Sequence, residues 1–226
     1  MQDRPDYLRQ TPSQTAGPYL HIGATPRQAG LDWPHADLGA SMISDETRGE
    51  RITITGCVHD GMEAPLTDAL IEIWQADADG IHPGRGDPRG AGDPFFTGFG
   101  RCAADAQTGE FRFETIRPGP VPAPGGTQRP GGTQRPGGTQ GPGGTQRPGG
   151  TLMAPHISFW IVARGINLGL HTRMYFPQDD LSDDPVLARI EHRARIATLI
   201  AQEVAPGAYR FEIFLQGPRE TVFFDI

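Results

Sequence analysis

Ile52-Thr53-Ile54-Thr55-Gly56-Cys57-Val58 is the stretch from which the fold is read. Ile52, Ile54 and Val58 alternate with Thr53 and Thr55, the two-residue period of a strand with one face buried and the other wet. The period returns at Phe111 and Phe113, which alternate with Arg112 and Glu114, and at Tyr209, Phe211, Ile213 and Leu215, interleaved with Arg210 and Glu212. Leu70 to Trp74 and Phe159 to Ala163 are more continuously apolar, as inner strands between two layers would be, and Thr221 to Ile226 reads as a closing strand. Many strands separated by Gly and Pro turns predict an all-β sandwich or barrel. Helix is expected in one place. Asp184 can cap it, Pro185 suits its first position, and Val186, Leu187 and Ile190 fall on one face; a second short turn is expected from Ala194 to Ala201.

At 226 residues the chain suits one large β-domain, placed at 51–226. The first 50 residues show little periodicity. Their Thr11-Pro12-Ser13-Gln14-Thr15-Ala16-Gly17-Pro18-Tyr19 run, rich in Pro, Gly and small polar residues, reads as an extended arm contacting a partner. From Gly125 to Pro148 the sequence repeats Gly-Gly-Thr-Gln-Arg-Pro four times, with Gly141 in place of Arg in the third copy and a last Gly-Gly-Thr ending at Thr151. A repeat without aliphatic or aromatic residues cannot bury a face, so 125–151 is expected to be a flexible low-complexity loop projecting into solvent.

The net charge of −7 argues against nucleic acid or an anionic membrane as partner. All 20 Lys/Arg positions are arginine, which rules out a lysine Schiff base or a P-loop lysine. Cys57 and Cys102 are too few and too far apart for a zinc site or a disulfide scaffold, so reduced thiols are expected. Met1-Gln2-Asp3-Arg4-Pro5 lacks the basic and apolar regions of a signal peptide, and no apolar run approaches a membrane span. The expectation is a soluble cytoplasmic protein.

Chemistry enters at Ala154-Pro155-His156-Ile157-Ser158-Phe159. Residues i and i+2 of a strand share a face, so a His-x-His pair there would aim two imidazoles at one metal. Ser158 occupies the second position, and a hydroxyl is a poor substitute for imidazole.

Thr11 to Tyr19, Ile73-Trp74-Gln75-Ala76-Asp77, Gly98-Phe99-Gly100-Arg101, Arg117-Pro118-Gly119-Pro120, Ala154 to Ile157, Ala163-Arg164-Gly165-Ile166-Asn167 and Glu220 to Asp225 together resemble the intradiol ring-cleaving dioxygenases. The likeness covers nearly the whole chain outside the repeat and implies an antiparallel β-sandwich with short helices. Family members that catalyse hold ferric iron with two tyrosines and two histidines. By the resemblance the first tyrosine falls at or beside His82, the second at Val121 and the histidine pair at His156 and Ser158, while a family arginine corresponds to Met153. Three of four ligands are missing, so no metal and no catalytic residue is expected in this chain, His156 being a vestigial position.

The resemblance therefore implies an iron-free alpha-type accessory chain. Its partner would be a beta subunit that carries Fe(III) and cleaves protocatechuate with O₂ to 3-carboxy-cis,cis-muconate, in aromatic catabolism. Carried over residue by residue, Thr15, Gly17, Pro18 and Arg164 would complete the wall of the partner's substrate pocket. Arg173 could face either an ion pair or the vestigial pocket. Two other readings stay open: a homomeric binding or scaffold protein without oxygenase activity, and a rebuilt metal site of His82, His156 and His171.

Overall fold

The computed structural model describes residues 14–17, 19–84, 87, 89–123 and 152–225. The repeat at 125–151 lies outside the described residues, as does Pro18.

Strand β1 (Arg51–His59) organises the first sheet. Along one edge it pairs antiparallel with β4 (Glu110–Ile116), Ile54 opposite Phe113. Along the other it runs parallel to β10 (Ala208–Arg210) and then β11 (Ile213–Phe214), and β10 pairs antiparallel with β9 (Gln202–Ala205). The sheet is therefore mixed, and the long alternation from Tyr209 to Leu215 is two strands. The break is at Phe211–Glu212, where the chain comes so close to β1 that a Cβ on Gly56 would sit 1.9 Å from the Phe211 carbonyl oxygen. Only glycine fits that approach.

The second sheet has the order β3 (Phe99–Ala103), β2 (Leu70–Trp74), β7 (His156–Val162), β8 (Leu170–Tyr175), all antiparallel. The continuously apolar segments β2 and β7 are its two central strands, as their composition predicts. The sheets pack through aromatic rings: Phe159 of β7 lies 5.9 Å from Phe111, 6.4 Å from Phe113 and 5.3 Å from Phe211. Ile54, Ile71, Ile73, Ile157 and Met174 fill the rest of this layer. A two-stranded ribbon, β5 (Val121–Pro122) with β6 (Leu152–Met153), spans the ends of the repeat.

Three sequence expectations change. Thr221 to Asp225 makes one bridge, Phe224 to His171, and no strand. At its centre hydroxyls replace a ladder partner: Thr172 Oγ1 donates to the Val222 carbonyl, and Thr198 Oγ1 accepts from the Val222 N–H. The helix after Asp184 is a 3₁₀ turn, Leu187–Arg189, with Asp184 Oδ1 accepting from the Val186 and Leu187 N–H groups. Three residues per turn stack Leu187 on Ile190, toward Tyr175 and Leu199, and send Val186 to Val121 and Met153, so these three do not share a face. The second turn is also 3₁₀, Arg193–Leu199. The N-terminal arm includes a short helix, α1 (Leu20–Ala24).

Candidate functional site

Two regions carry the residues singled out by sequence: the end of the second sheet around His156, and the surface around Arg164.

His156 opens β7 and is 7% exposed. Its Nδ1–H donates to the Ala154 carbonyl at 2.8 Å, and its ring lies 5.6 Å from that of Tyr175. Burial, reinforced by the Arg173 guanidinium, pushes its pKa down to about 4, so the imidazole is neutral. Burial and the Asp184 carboxylate push the Tyr175 phenol up to about 12. Val121 is buried in its hydrophobic cluster, and His82 stacks on Trp74 with ring centroids 5.7 Å apart. Across the ladder from Ser158 stands Arg173, with a guanidinium nitrogen 3.4 Å from Met153 Sδ. Arg173 thus faces the same side of the sheet as Ser158 and Met153.

These residues do not fit ferric iron. Iron of this kind needs several anionic or imidazole donors in fixed geometry. Here the donor set is one neutral imidazole, a hydroxyl and a phenol held protonated, beside a permanent guanidinium charge. His82, His156 and His171 do not gather either: among the described residues the one group of metal-ligating side chains within reach of a common ion is Cys57, His59 and Glu212.

At the other region β7 ends and Arg164-Gly165 turns the chain, Gly165 adopting φ +88°. Thr15 Oγ1 accepts from the Gly165 N–H at 2.8 Å and donates to the Ala163 carbonyl at 3.3 Å. The arm is therefore tied to the backbone on both sides of Arg164. The Arg164 side chain is 71% exposed, with Nε 3.1 Å from Asp68 Oδ2. The Asp68 carbonyl accepts from His21 Nε2 at 3.1 Å, which attaches α1 to the same loop. Gly17 is exposed, with open space around it. The structure thus brings Thr15 and Arg164 together and leaves Gly17 at the surface between Thr15 and α1.

Sequence reasoning missed Asp68 and His21, which hold Arg164 and the arm, because a lone Asp in a loop carries no periodic signal. It also missed the role of Asp77, which is buried and accepts from the Asp79, Ile81 and Asp93 N–H groups, fixing the loop that carries His82. The Trp-Gln-Ala-Asp motif marked this residue without revealing its role.

A family model described as dioxygenase matches residues 29–217. The chain is 36% identical to the protocatechuate 3,4-dioxygenase alpha chain of Pseudomonas putida over 225 residues, covering 97% of this chain and 98% of that one. The chain belongs to the intradiol dioxygenase family. This intradiol dioxygenase chain is also 34% identical, over 76% of its own length and 67% of the relative's, to the protocatechuate 3,4-dioxygenase beta chain of Burkholderia cepacia. The catechol 1,2-dioxygenase of Pseudomonas arvilla C-1 shares the family fold, with a TM-score of 0.52 at 21% identity over 90% of this chain and 70% of that one. Among the described residues no helix is long and apolar enough to cross a membrane.

Proposed function

We propose that this chain is the iron-free alpha chain of a protocatechuate 3,4-dioxygenase, completing the substrate pocket of an iron-bearing beta chain. The observation that carries the reading is the pairing of 35–36% identity to alpha chains over nearly the full length with a donor set at His156 that does not fit iron. The partner's ferric iron would activate the catechol for reaction with O₂, both oxygen atoms entering the product, 3-carboxy-cis,cis-muconate. We place this activity in the cytoplasm, in aromatic catabolism.

Arg164, permanently charged and exposed, is oriented by Asp68 and suits the carboxylate of protocatechuate. Thr15 fixes the arm against the Arg164 turn, so Thr15 and Gly17 would form a wall whose backbone approaches a flat ring and excludes water, to which the family resemblance adds Pro18. The arm also exposes Tyr19 (79%), Leu38 (67%) and Trp33 (50%), apolar surface of the kind a subunit covers.

The test is co-expression with a homologue that has His-x-His and both tyrosines, followed by co-purification, iron analysis and oxygen uptake with protocatechuate. The expected result is a stable complex, one iron per chain pair, and turnover that weakens in Arg164→Ala without loss of the complex. If nothing co-purifies, or the partner is fully active alone, a homomeric binding protein becomes the better reading.

A further inference from the structure

The run Thr221 to Asp225 makes one backbone bridge to β8, where the Phe224 N–H donates to the His171 carbonyl at 2.8 Å. Without a full ladder there, the run, Arg173 of β8 and the turns after Asp184 enclose a cavity of about 530 Å³. Val186, Ile190, Val222 and Phe224 supply its apolar wall. A concave, mostly apolar space of this size suits a small molecule, and its few polar groups decide which one.

Arg173, Arg189 and Arg195 line the cavity. Arg195 is already neutralised by Glu220 Oε1 at 2.8 Å, whereas Arg173 and Arg189 make no salt bridge among the described residues. The Arg173 guanidinium lies over the Phe224 ring, with Cζ 5.8 Å from its centre, and the bridge to His171 holds Phe224 in place. Stacking uses a face of the guanidinium and leaves the N–H donors in its plane. Among the described residues one nitrogen meets an acceptor, and that is the weak Met153 Sδ at 3.4 Å. A half-buried guanidinium with so few acceptors takes an anion without breaking contacts of its own.

The rest of the lining selects among anions. Glu191 and Asp225 also line the cavity, and both are exposed. Two carboxylates beside the arginines oppose a compact dianion such as sulfate. A single negative charge on an apolar body instead meets Arg173 and Arg189 at one end and the apolar wall along its length.

We propose that this cavity binds a monoanionic aromatic carboxylate of the benzoate class, with its carboxylate on Arg173 and its ring against Phe224 and Ile190. Arg189, exposed, adds attraction from solvent. Glu191 and Asp225 are acceptors for a ring hydroxyl, which favours hydroxybenzoates. The inference depends neither on an oxygenase partner nor on iron.

The test is calorimetric titration of the full-length chain with benzoate, 4-hydroxybenzoate, benzamide and sulfate at constant ionic strength. We expect benzoate to bind, 4-hydroxybenzoate to bind more tightly, and benzamide and sulfate not to bind. Arg173→Gln should lower benzoate affinity tenfold or more. If the chain is obtained only with its partner, the complex is titrated in the same way, and the site lost in Arg173→Gln is the one counted. Should Arg173→Gln not fold, the exposed Arg189→Glu decides: a tenfold or greater loss supports the site, and unchanged affinity overturns it. Absence of benzoate binding, benzamide binding as tightly as benzoate, or benzoate affinity that survives Arg173→Gln also overturns it.

Discussion

Ser158 of β7 and Arg173 of β8 are direct partners in the antiparallel ladder, so the strand position that lacks a second imidazole faces a guanidinium. A permanent positive charge there opposes a metal cation as it opposes protonation of His156. That these side chains do not fit iron is then a property of the pocket and not of one residue.

Ser158→His should not restore iron binding. It supplies a second imidazole, but Arg173 stays opposite, Val121 offers no donor, and the Tyr175 phenol remains protonated with its pKa near 12. Iron analysis of the purified variant after exposure to ferric salt should find none retained; stoichiometric iron would mean that the second histidine alone was limiting.

His156 should make stability depend on pH. Its folded pKa of about 4 lies below the 6.5 of an unperturbed histidine, so the unfolded chain binds more protons between these values. Its contribution is complete above pH 6.5 and is lost as pH falls toward 4, on the order of 3 kcal/mol across the window. An NMR titration of the His156 ring should show the low midpoint. Arg173→Ala should raise it, though not to 6.5, because burial is the larger cause. A midpoint near 6.5 in the wild type would overturn the account.

Arg164→Ala separates binding from folding. At 71% exposure its pair with Asp68 contributes under about 1 kcal/mol, so denaturant midpoints should barely move. In the co-purified complex, losing a charged contact to a carboxylate should raise KM for protocatechuate about tenfold or more. Asp68→Asn, which frees the guanidinium without removing it, should have a smaller effect in the same direction. Equal loss of stability and turnover would assign Arg164 a structural role.

β1 and β4 were legible because half-buried strands alternate, and Ile52 to Val58 and Phe111 to Glu114 alternate cleanly; β2 and β7 were legible as continuously apolar runs, whereas β3 and the fully exposed β9 carry neither signal. The parallel pairing of β10 and β11 with β1 was not, since side-chain alternation does not report strand direction. Thr221 to Asp225 has the composition of a strand and misleads because the Thr172 and Thr198 hydroxyls take the carbonyl and N–H of Val222 at its centre. Around His156 the serine in place of a second histidine was visible in the motif, whereas the placement of Arg173 depended on the β7–β8 register. The grouping of Cys57, His59 and Glu212 was hidden for a similar reason: Glu212 is distant in sequence and its neighbours belong to two strands.

Gly56→Ala tests that break in the edge of the sheet. An added Cβ would stand 1.9 Å from the Phe211 carbonyl oxygen and 2.8 Å from Phe111 Cζ, so backbone and a fully buried ring must both move. The Phe211 N–H also donates to the Thr55 carbonyl at 2.8 Å, and separating the strands would stretch that bond. Overpacking with loss of a buried hydrogen bond should lower stability by about 3 kcal/mol, read as a shift in denaturant midpoint at unchanged slope. A variant as stable as the wild type would show that β1 and Phe211 are not held this close.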